Sequence, residues 1–325
     1  MNSAGNIKVR SKIRSPEISV IIPFHGKVQD LTKCIAGLKH QNFNFKFEII
    51  VVESGNDPGV GYLINSIDNA ALVTSSYLMY PGKARNLGVT YSTSKFLAFI
   101  DADSIPEEDW LSEIYFSLKK GNDIVIGPVI NLHPFHPIAT VDNLFLFIDF
   151  QKHRSSRNVD HFTGCSLGMT KDLFYKAGEF PENIKIGEDT KFSESALKKG
   201  KIYFNKKMIV RHSGRKNYSD FKKHHWSFGF YRGYFNHKIL PKESKFRRNY
   251  FYPVLLGSRR LLYITIRTLQ WNPVGLLRVI FYSPFLILGI SAWIDGFRKG
   301  NQKYLSEINF QSTNIPLENS LKETE

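Results

Sequence analysis

Two aspartates one residue apart, Asp101 and Asp103 in the run Phe99-Ile100-Asp101-Ala102-Asp103, follow directly on the apolar stretch Phe96 to Ile100. A hard divalent cation such as Mg2+ or Mn2+ takes oxygen ligands, and one or two carboxylates plus substrate phosphates is a common set. An acidic pair leaving a buried strand calls for such a cation or a basic partner, because unpaired charge is costly away from water. The run Gly82-Lys83-Ala84-Arg85-Asn86-Leu87-Gly88 precedes that strand by about one helix's length. Its glycines let backbone approach a ligand closely, Lys83 and Arg85 can neutralise a diphosphate, and Asn86 offers an amide. Alone, the run reads equally as a glycine-bounded helix start with solvated cations. Beside Asp101 and Asp103 it points to a phosphate site. Gly187-Glu188-Asp189 stands ahead of the amphipathic segment Thr190 to Lys199, where acids serve either as ordinary helix capping or as chemistry.

The elements that must position these residues are legible as apolar runs. Ile18 to Ile22, Glu48 to Val52 and Phe96 to Ile100 alternate with helix-like segments at Leu31 to His40 and around Tyr62 to Asn69. Short apolar strands separated by helices predict a parallel sheet covered on both faces, the doubly wound α/β arrangement. Its ligand crevice lies beyond the carboxyl ends of the strands. The residues expected there are Pro23 and His25, Glu53 to Asn56, and Asp101 to Asp103. Loops are polar anyway, which accounts for any one cluster; all three together favour a site.

At 325 residues the chain can bury a large core, and one catalytic domain with an appendage is expected. Cys34 and Cys165 are the two cysteines, and the first fifteen residues are polar and basic, so neither a disulfide framework nor a secretory signal is expected. The bulk of the chain is placed in the cytosol. The formal charge is +15, and Lys201 to Arg260 holds sixteen Lys and Arg against two acids, Asp220 and Glu243. Such a block suits nucleic acid, anionic lipid or a diphosphate. Its neighbours favour lipid, since Pro273 to Ile294 contains one charge, Arg278, and a central proline, Pro284. That length could span a bilayer, but basic residues on both sides leave a span and a kinked interfacial helix both open, with a buried soluble helix pair as the plainer reading. The expected organisation is a flexible N-terminus over 1–15, a catalytic domain over 16–235, a basic and apolar helical membrane-associated region over 236–300 and a polar tail over 301–325.

The order Ile21-Ile22-Pro23, Val51-Val52-Glu53-Ser54-Gly55, Ala84-Arg85-Asn86-Leu87-Gly88, Phe99-Ile100-Asp101-Ala102-Asp103, Thr163-Gly164-Cys165-Ser166, Ala177-Gly178-Glu179-Phe180, Gly187-Glu188-Asp189-Thr190 and Val210-Arg211-His212 resembles family 2 glycosyltransferases of the GT-A fold. The resemblance covers roughly residues 16 to 235. Any one motif is unspecific; their order and spacing are not. It implies inverting transfer from a nucleotide sugar, a UDP-sugar above all, with Mn2+ or Mg2+. Pro23 and Glu53 would then line the nucleoside pocket, with Lys83, Arg85 and Asn86 close by. Asp101 would face the ribose and the metal, Asp103 would coordinate the ion, and His212 would be a further metal or diphosphate ligand. Asp189 would be the general base, with Glu188 beside it.

The sequence departs from the family pattern in places. Glu53-Ser54 stands where Asp-Asp is frequent, which leaves the donor base open, and Lys171 replaces a frequent Arg. The Gln-X-X-Arg-Trp run of processive members is replaced by His224-His225-Trp226 and Tyr231-Arg232-Gly233, which argues for transfer of single sugars. The acceptor would be a glycan or a lipid-linked molecule, brought to the enzyme at an anionic membrane surface on the cytoplasmic face of the cell membrane. A nucleotidyltransferase would share the metal site, but Pro23-Phe24-His25-Gly26-Lys27 carries one glycine where that class needs a glycine-rich loop. A non-enzymatic nucleic-acid surface would use the basic, aromatic window. It leaves Asp101, Asp103 and Asp189 unexplained, so no nucleic-acid partner is expected.

Overall fold

The computed structural model describes residues 6–9, 11–55, 57–235 and 251–313. The chain divides into two compact units, Met1–Gly214 and Arg215–Glu325. The first unit begins with β1 (Asn6–Val9), β2 (Ile18–Phe24), α1 (Val28–Lys39), β3 (Phe47–Ser54), α2 (Pro58–Asn65), β4 (Ala70–Ser75), α3 (Pro81–Tyr91) and β5 (Phe96–Ile100). It continues with β6 (Ser104–Pro106), α4 (Trp110–Lys119), β7 (Ile124–Ile126), β8 (Val129–Asn131), α5 (Pro137–Phe147), β9 (Arg157–Val159), β10 (Ser166–Thr170), α6 (Lys171–Lys176), α7 (Glu188–Ala196), β11 (Ile202–Phe204) and β12 (Val210–His212).

β2, β3 and β4 are rich in Ile, Val and Ala and bury almost every residue, as strands covered on both faces must. They run parallel with β5 in the order β4-β3-β2-β5. The chain steps from β2 outward to β4 and then returns to the far side of β2 for β5. The strand order therefore switches direction between β2 and β5, and a crevice opens beyond their carboxyl ends. Helices cover the sheet by their apolar spacing: α1 buries Leu31, Cys34, Ile35 and Leu38. On the other side α3 lies close enough to β2 that a Cβ on Gly88 would meet Ile21 Cγ2 at 2.6 Å. Both cysteines are buried and free.

The sheet is mixed, a correction to the parallel sheet expected from the apolar runs. β10 pairs antiparallel with β5, from Ser166 opposite Ile100 to Thr170 opposite Phe96, and antiparallel with β7. β11 runs parallel to β7, and β9 closes that edge antiparallel. An apolar run carries no strand direction; the connection sets it. At the opposite edge β1 pairs antiparallel with β4, Ile7 opposite Val73, inside the 1–15 segment expected to be flexible. The alternation Asn6-Ile7-Lys8-Val9 is that of an edge strand. A second, small sheet has the order β6-β12-β8 and sets His212 opposite Ser104 and Asn131.

In the second unit, α8 (Tyr218–Tyr234) starts at Asn217, whose side chain accepts from the amides of Ser219 and Asp220. Then follow α9 (Tyr252–Trp271), a 3-10 turn (Pro273–Gly275), α10 (Leu276–Phe281) and α11 (Ser283–Thr313). Helices α8 and α11 meet backbone to backbone. A Cβ on Gly229 would fall 2.0 Å from the Trp293 carbonyl oxygen and one on Gly233 2.1 Å from that of Phe297. Reciprocally, Gly296 faces the Trp226 carbonyl at 2.0 Å and Gly300 that of Phe230 at 1.9 Å. Two Gly-X-X-X-Gly runs thus interlock, the device by which helices approach most closely. Trp226 Nε1 donates to Asp295 Oδ2 at 2.7 Å alongside.

This interlock places α8 in the second unit, so the first ends at Gly214 and not at the expected 235. Helix α11 likewise runs through the expected polar tail as far as Thr313, its inner turns held by Gly296 and Gly300. Residues 1–5, 10, 236–250 and 314–325, and Asn56 in the second expected site cluster, lie outside the described residues. Among the described residues no single helix is long and apolar enough to cross a membrane. Pro273–Phe281 and Ser283–Glu307 together are, but they meet at a 73° bend. Pro284 stands in the first turn after that bend, where its missing N–H costs no helical hydrogen bond.

Candidate active site

The loops after β2 and β3 are tied to each other. His25 Nδ1 donates to the Ser54 carbonyl at 2.8 Å, which fixes the ring tautomer. Glu53 is buried, and its Oε1 accepts from the Asp57 amide at 3.1 Å. Gly55, at φ 142°, threads between them, and a Cβ there would stand 3.4 Å from Glu53 Oε1. Pro23 is half-buried on β2 beside this turn. These residues form one wall of the crevice.

Helix α3 supplies a second wall, and its polar residues are committed inward. The Asn86 side chain pairs with the backbone of Phe180, donating to its carbonyl at 2.8 Å and accepting from its amide at 3.0 Å. Arg85 is 3% exposed; Nη1 donates to Glu188 Oε1 and Nη2 to Asp101 Oδ1, both at 2.7 Å. Asn86 and Arg85 were expected near the diphosphate, but as placed both hold protein to protein. Lys83 is more open. It lies 5.2 Å over the Tyr77 ring and 3.7 Å from Glu182, and Tyr77 first, with Glu182, raises its pKa, so it is a firm cation at the rim.

The strand-end acids divide by environment. Asp101 is anchored by Arg85, while Asp103 is nearly half exposed and lies 3.3 Å from His212 Nε2. The β6-β12 register brings this pair together, since Ser104 stands opposite His212. His212 is buried against Phe147, and its Nδ1 accepts the Gly214 amide at 3.1 Å. The neutral ring therefore carries its proton on Nε2 and shows an N–H toward Asp103. That arrangement suits a hydrogen bond to a carboxylate or phosphate oxygen better than the metal ligation expected for His212. Among the described residues no group of three or more His, Cys, Asp or Glu could hold an ion. Asp103, with Asp101 as neighbour, fits the sparse protein share of a cation site completed by substrate phosphates.

Helix α7 begins at Gly187 in the left-handed region, φ 89°, with no side-chain cap. Glu188 is turned inward onto Arg85. Burial first, then Asp189 beside it, pushes its pKa up to about 7 against the opposing pull of Arg85. Asp189 remains half-exposed; Oδ1 accepts from Thr190 N at 2.7 Å and Oδ2 from Gly164 N at 3.3 Å. Of the two acids expected to be catalytic, Asp189 is the one open to a substrate. Gly164 lies just ahead of β10, whose Ser166 pairs with Ile100, so Asp189, Asp101 and Asp103 all come to the end of β5.

Residues 19–177 match the family model described as Glycosyl transferase family 2. Over those residues the chain is similar to family 2 glycosyl transferases. Similar curated proteins include Glycosyltransferase AglE of Haloferax volcanii, 27% identical over 192 residues, 57% of this chain and 62% of that protein. Chondroitin synthase of Pasteurella multocida is 28% identical over 116 residues, 34% of this chain and 12% of that protein. Less than two thirds of each of these relatives is thus spanned. Among solved structures, S. aureus TarS 1-349 in complex with UDP is 16% identical, with 90% of this chain and 92% of that one covered at a TM-score of 0.49.

The family 2 match takes in Pro23, Glu53, Arg85, Asp101 and Asp103, and it ends before Asp189 and His212, which stand on geometry. Sequence reasoning missed Gly164 as a functional position, although Thr163-Gly164-Cys165-Ser166 was visible. A Cβ at Gly164 would meet the Arg85 guanidinium at 2.6 Å, so glycine alone lets the amide reach Asp189. It also missed the 180–182 loop that receives Asn86. A wide cleft of about 630 Å3 lined by Glu107, Glu113, Lys152, Lys207 and Arg211 lies elsewhere, because alternation along β12 points Arg211 away from His212.

Proposed function

We propose that this protein transfers a glycosyl group, with inversion, from a nucleoside-diphosphate sugar to an acceptor hydroxyl. The observation that carries the reading is Asp189, half-exposed and held by two backbone amides at the end of β5 where Asp101 and Asp103 leave the sheet. The acceptor O–H gives its proton to Asp189 as its oxygen attacks the anomeric carbon. The bond from that carbon to the diphosphate oxygen breaks, and the diphosphate leaves with the electron pair. A divalent cation at Asp103 would supply charge neutralisation for that leaving group. The Nε2–H of His212 and the ammonium of Lys83 lie where they can donate to phosphate oxygens. Pro23 and Glu53 belong to the nucleoside wall, and UDP-sugars are the first donors to try.

The helical unit supports a place at the cytoplasmic face of the cell membrane, and with it a lipid-linked or surface glycan acceptor taken one sugar at a time. Residues 251–294 contain no Asp or Glu and four arginines, Arg259, Arg260, Arg267 and Arg278. Ile264, Val279 and Leu286 are buried there, but several large apolar side chains face outward, Val274 and Phe281 each 78% exposed. Exposed apolar side chains in a segment whose charged residues are arginines suit anionic lipid.

The deciding experiment presents UDP-, GDP- and dTDP-sugars to the purified protein with Mn2+ or Mg2+ and membrane extract as acceptor. Metal-dependent nucleotide release that drops by orders of magnitude in Asp103→Asn and in Asp189→Asn is expected. No release with any donor and any divalent ion would remove the reading.

A further inference from the structure

Arg85 occupies a place that its exposure denies to a diphosphate. Both terminal nitrogens are committed at 2.7 Å, one to Glu188 and one to Asp101, and the ring of Phe180 lies 5.2 Å from Cζ. An arginine that grips phosphate needs its fork turned to the opening. The same side chain touches the base from two directions. Glu188 is the first residue of α7, and where Gly187 offers no side-chain cap, the Arg85 grip on Glu188 ties that end of the helix to α3. Gly164, whose amide donates to Asp189 Oδ2, rests against the guanidinium so closely that a Cβ would lie 2.6 Å from Cζ and from Nη2.

We propose that Arg85 is a positioning residue for Asp189 and not a ligand of the donor, a role that rests on the transfer reaction proposed above. The guanidinium joins α3, the end of β5, the loop before β10 and the start of α7. Each contact that orients the Asp189 carboxylate, the amide of Gly164 on one side and the helix start on the other, leans on it. Glu188 is then the arm through which Arg85 acts, and its own carboxylate touches no substrate.

Arg85→Lys and Glu188→Gln separate the two roles, using the full chain. For each, kcat and donor KM are measured, nucleoside diphosphate affinity is measured by calorimetry with Mn2+, and hydrogen exchange is followed at the Gly164 and Thr190 amides. Positioning predicts a kcat loss of about 100-fold for Arg85→Lys and about 10-fold for Glu188→Gln, with nucleoside diphosphate affinity changed by less than about threefold. Exchange at Gly164 and Thr190 is expected to quicken in both while the β2 and β3 amides stay protected. A fall in nucleoside diphosphate affinity of tenfold or more in Arg85→Lys, with exchange at those two amides unchanged, would overturn the proposal. Should Arg85→Lys lose its fold, Glu188→Gln, which conserves shape, carries the test. If the parent turns over no donor, the transfer reading fails by itself, and the exchange measurement still decides whether Arg85 orders the two amides.

Discussion

Replacing Gly229 by alanine tests the close approach of α8 and α11. A Cβ at that position would stand 2.0 Å from the Trp293 carbonyl oxygen, in a place where the obstacle is backbone and cannot rotate away. Helices α8 and α11 would have to part by more than ~1 Å to restore ordinary contact, loosening the packing along both. Overpacking costs roughly 1–3 kcal/mol, and a rigid obstacle puts this site near ~3. Alanine returns about 1 kcal/mol of helix propensity, leaving a net loss of ~2 kcal/mol. Urea unfolding followed by circular dichroism at 222 nm should show a lower midpoint at an unchanged slope. The double variant Gly229→Ala/Gly296→Ala should cost much less than twice the single one, because one separation relieves both collisions. A Gly229→Ala chain that is more stable than the parent by the ~1 kcal/mol of propensity alone would show that the two backbones do not touch.

Four further outcomes follow from the site and the helices. Burial, then Asp189, raises the Glu188 pKa to about 7 in the folded chain from an ordinary carboxylate value of 4.5, so stability should fall as pH rises between those values; Glu188→Gln should flatten that slope in melts at pH 5, 6, 7 and 8. Asp149 first, and Asp160 after it, raise the pKa of His161, so its contribution is present below the free imidazole value and lost as pH rises through its own raised pKa; His161→Gln should remove that pH dependence from the unfolding curve. Gly164→Ala drives a methyl into Arg85 and should depress turnover by about 100-fold while nucleoside diphosphate titrations barely change. Phe281→Glu with Leu277→Glu should abolish flotation with anionic vesicles and spare transfer to a water-soluble acceptor; undiminished flotation would rule out this face as the lipid contact.

Much of the scaffold was legible because its strands are buried on both faces. Ile18 to Ile22, Glu48 to Val52 and Phe96 to Ile100 were located to within a few residues, and the acids after the last of them lie at the switch point. Ala70–Ser75 was not picked out, although Asp68-Asn69 punctuates the chain directly ahead of it, because its two alanines make a weaker strand signal than the Ile- and Val-rich runs. Direction escaped too, and with it the antiparallel β10 that carries Gly164. At the site, residue type pointed to charge and not to its destination. Lys83 and Arg85 are two residues apart and look alike in sequence, yet the roughly half turn of helix between them puts Lys83 at the rim and Arg85 in the core. Asn86 reads as a spare amide until Phe180, ninety-four positions on, takes up both its donor and its acceptor. The Gly229, Gly233, Gly296 and Gly300 spacing was present throughout, but only the pairing of the two helices shows that each glycine answers a carbonyl on the other.

The five consecutive pairs between β5 and β10 bear on how this protein can diversify. One residue inserted within either strand would slide Gly164 about 3.4 Å along the end of β5 and reverse the facing of the side chains beyond it. Within the excursion from Leu132 to Thr163, β9 is fixed by its pairing with β11 and Phe147 by its packing on His212, but the stretch 151–156 between them carries no strand ladder. Segments grafted there can vary in length at small entropic cost while leaving Asp101, Asp103 and Asp189 in place. Exchanging that stretch between relatives would test whether it alters the acceptor preference of the proposed transfer, with Asp101, Asp103 and Asp189 unchanged.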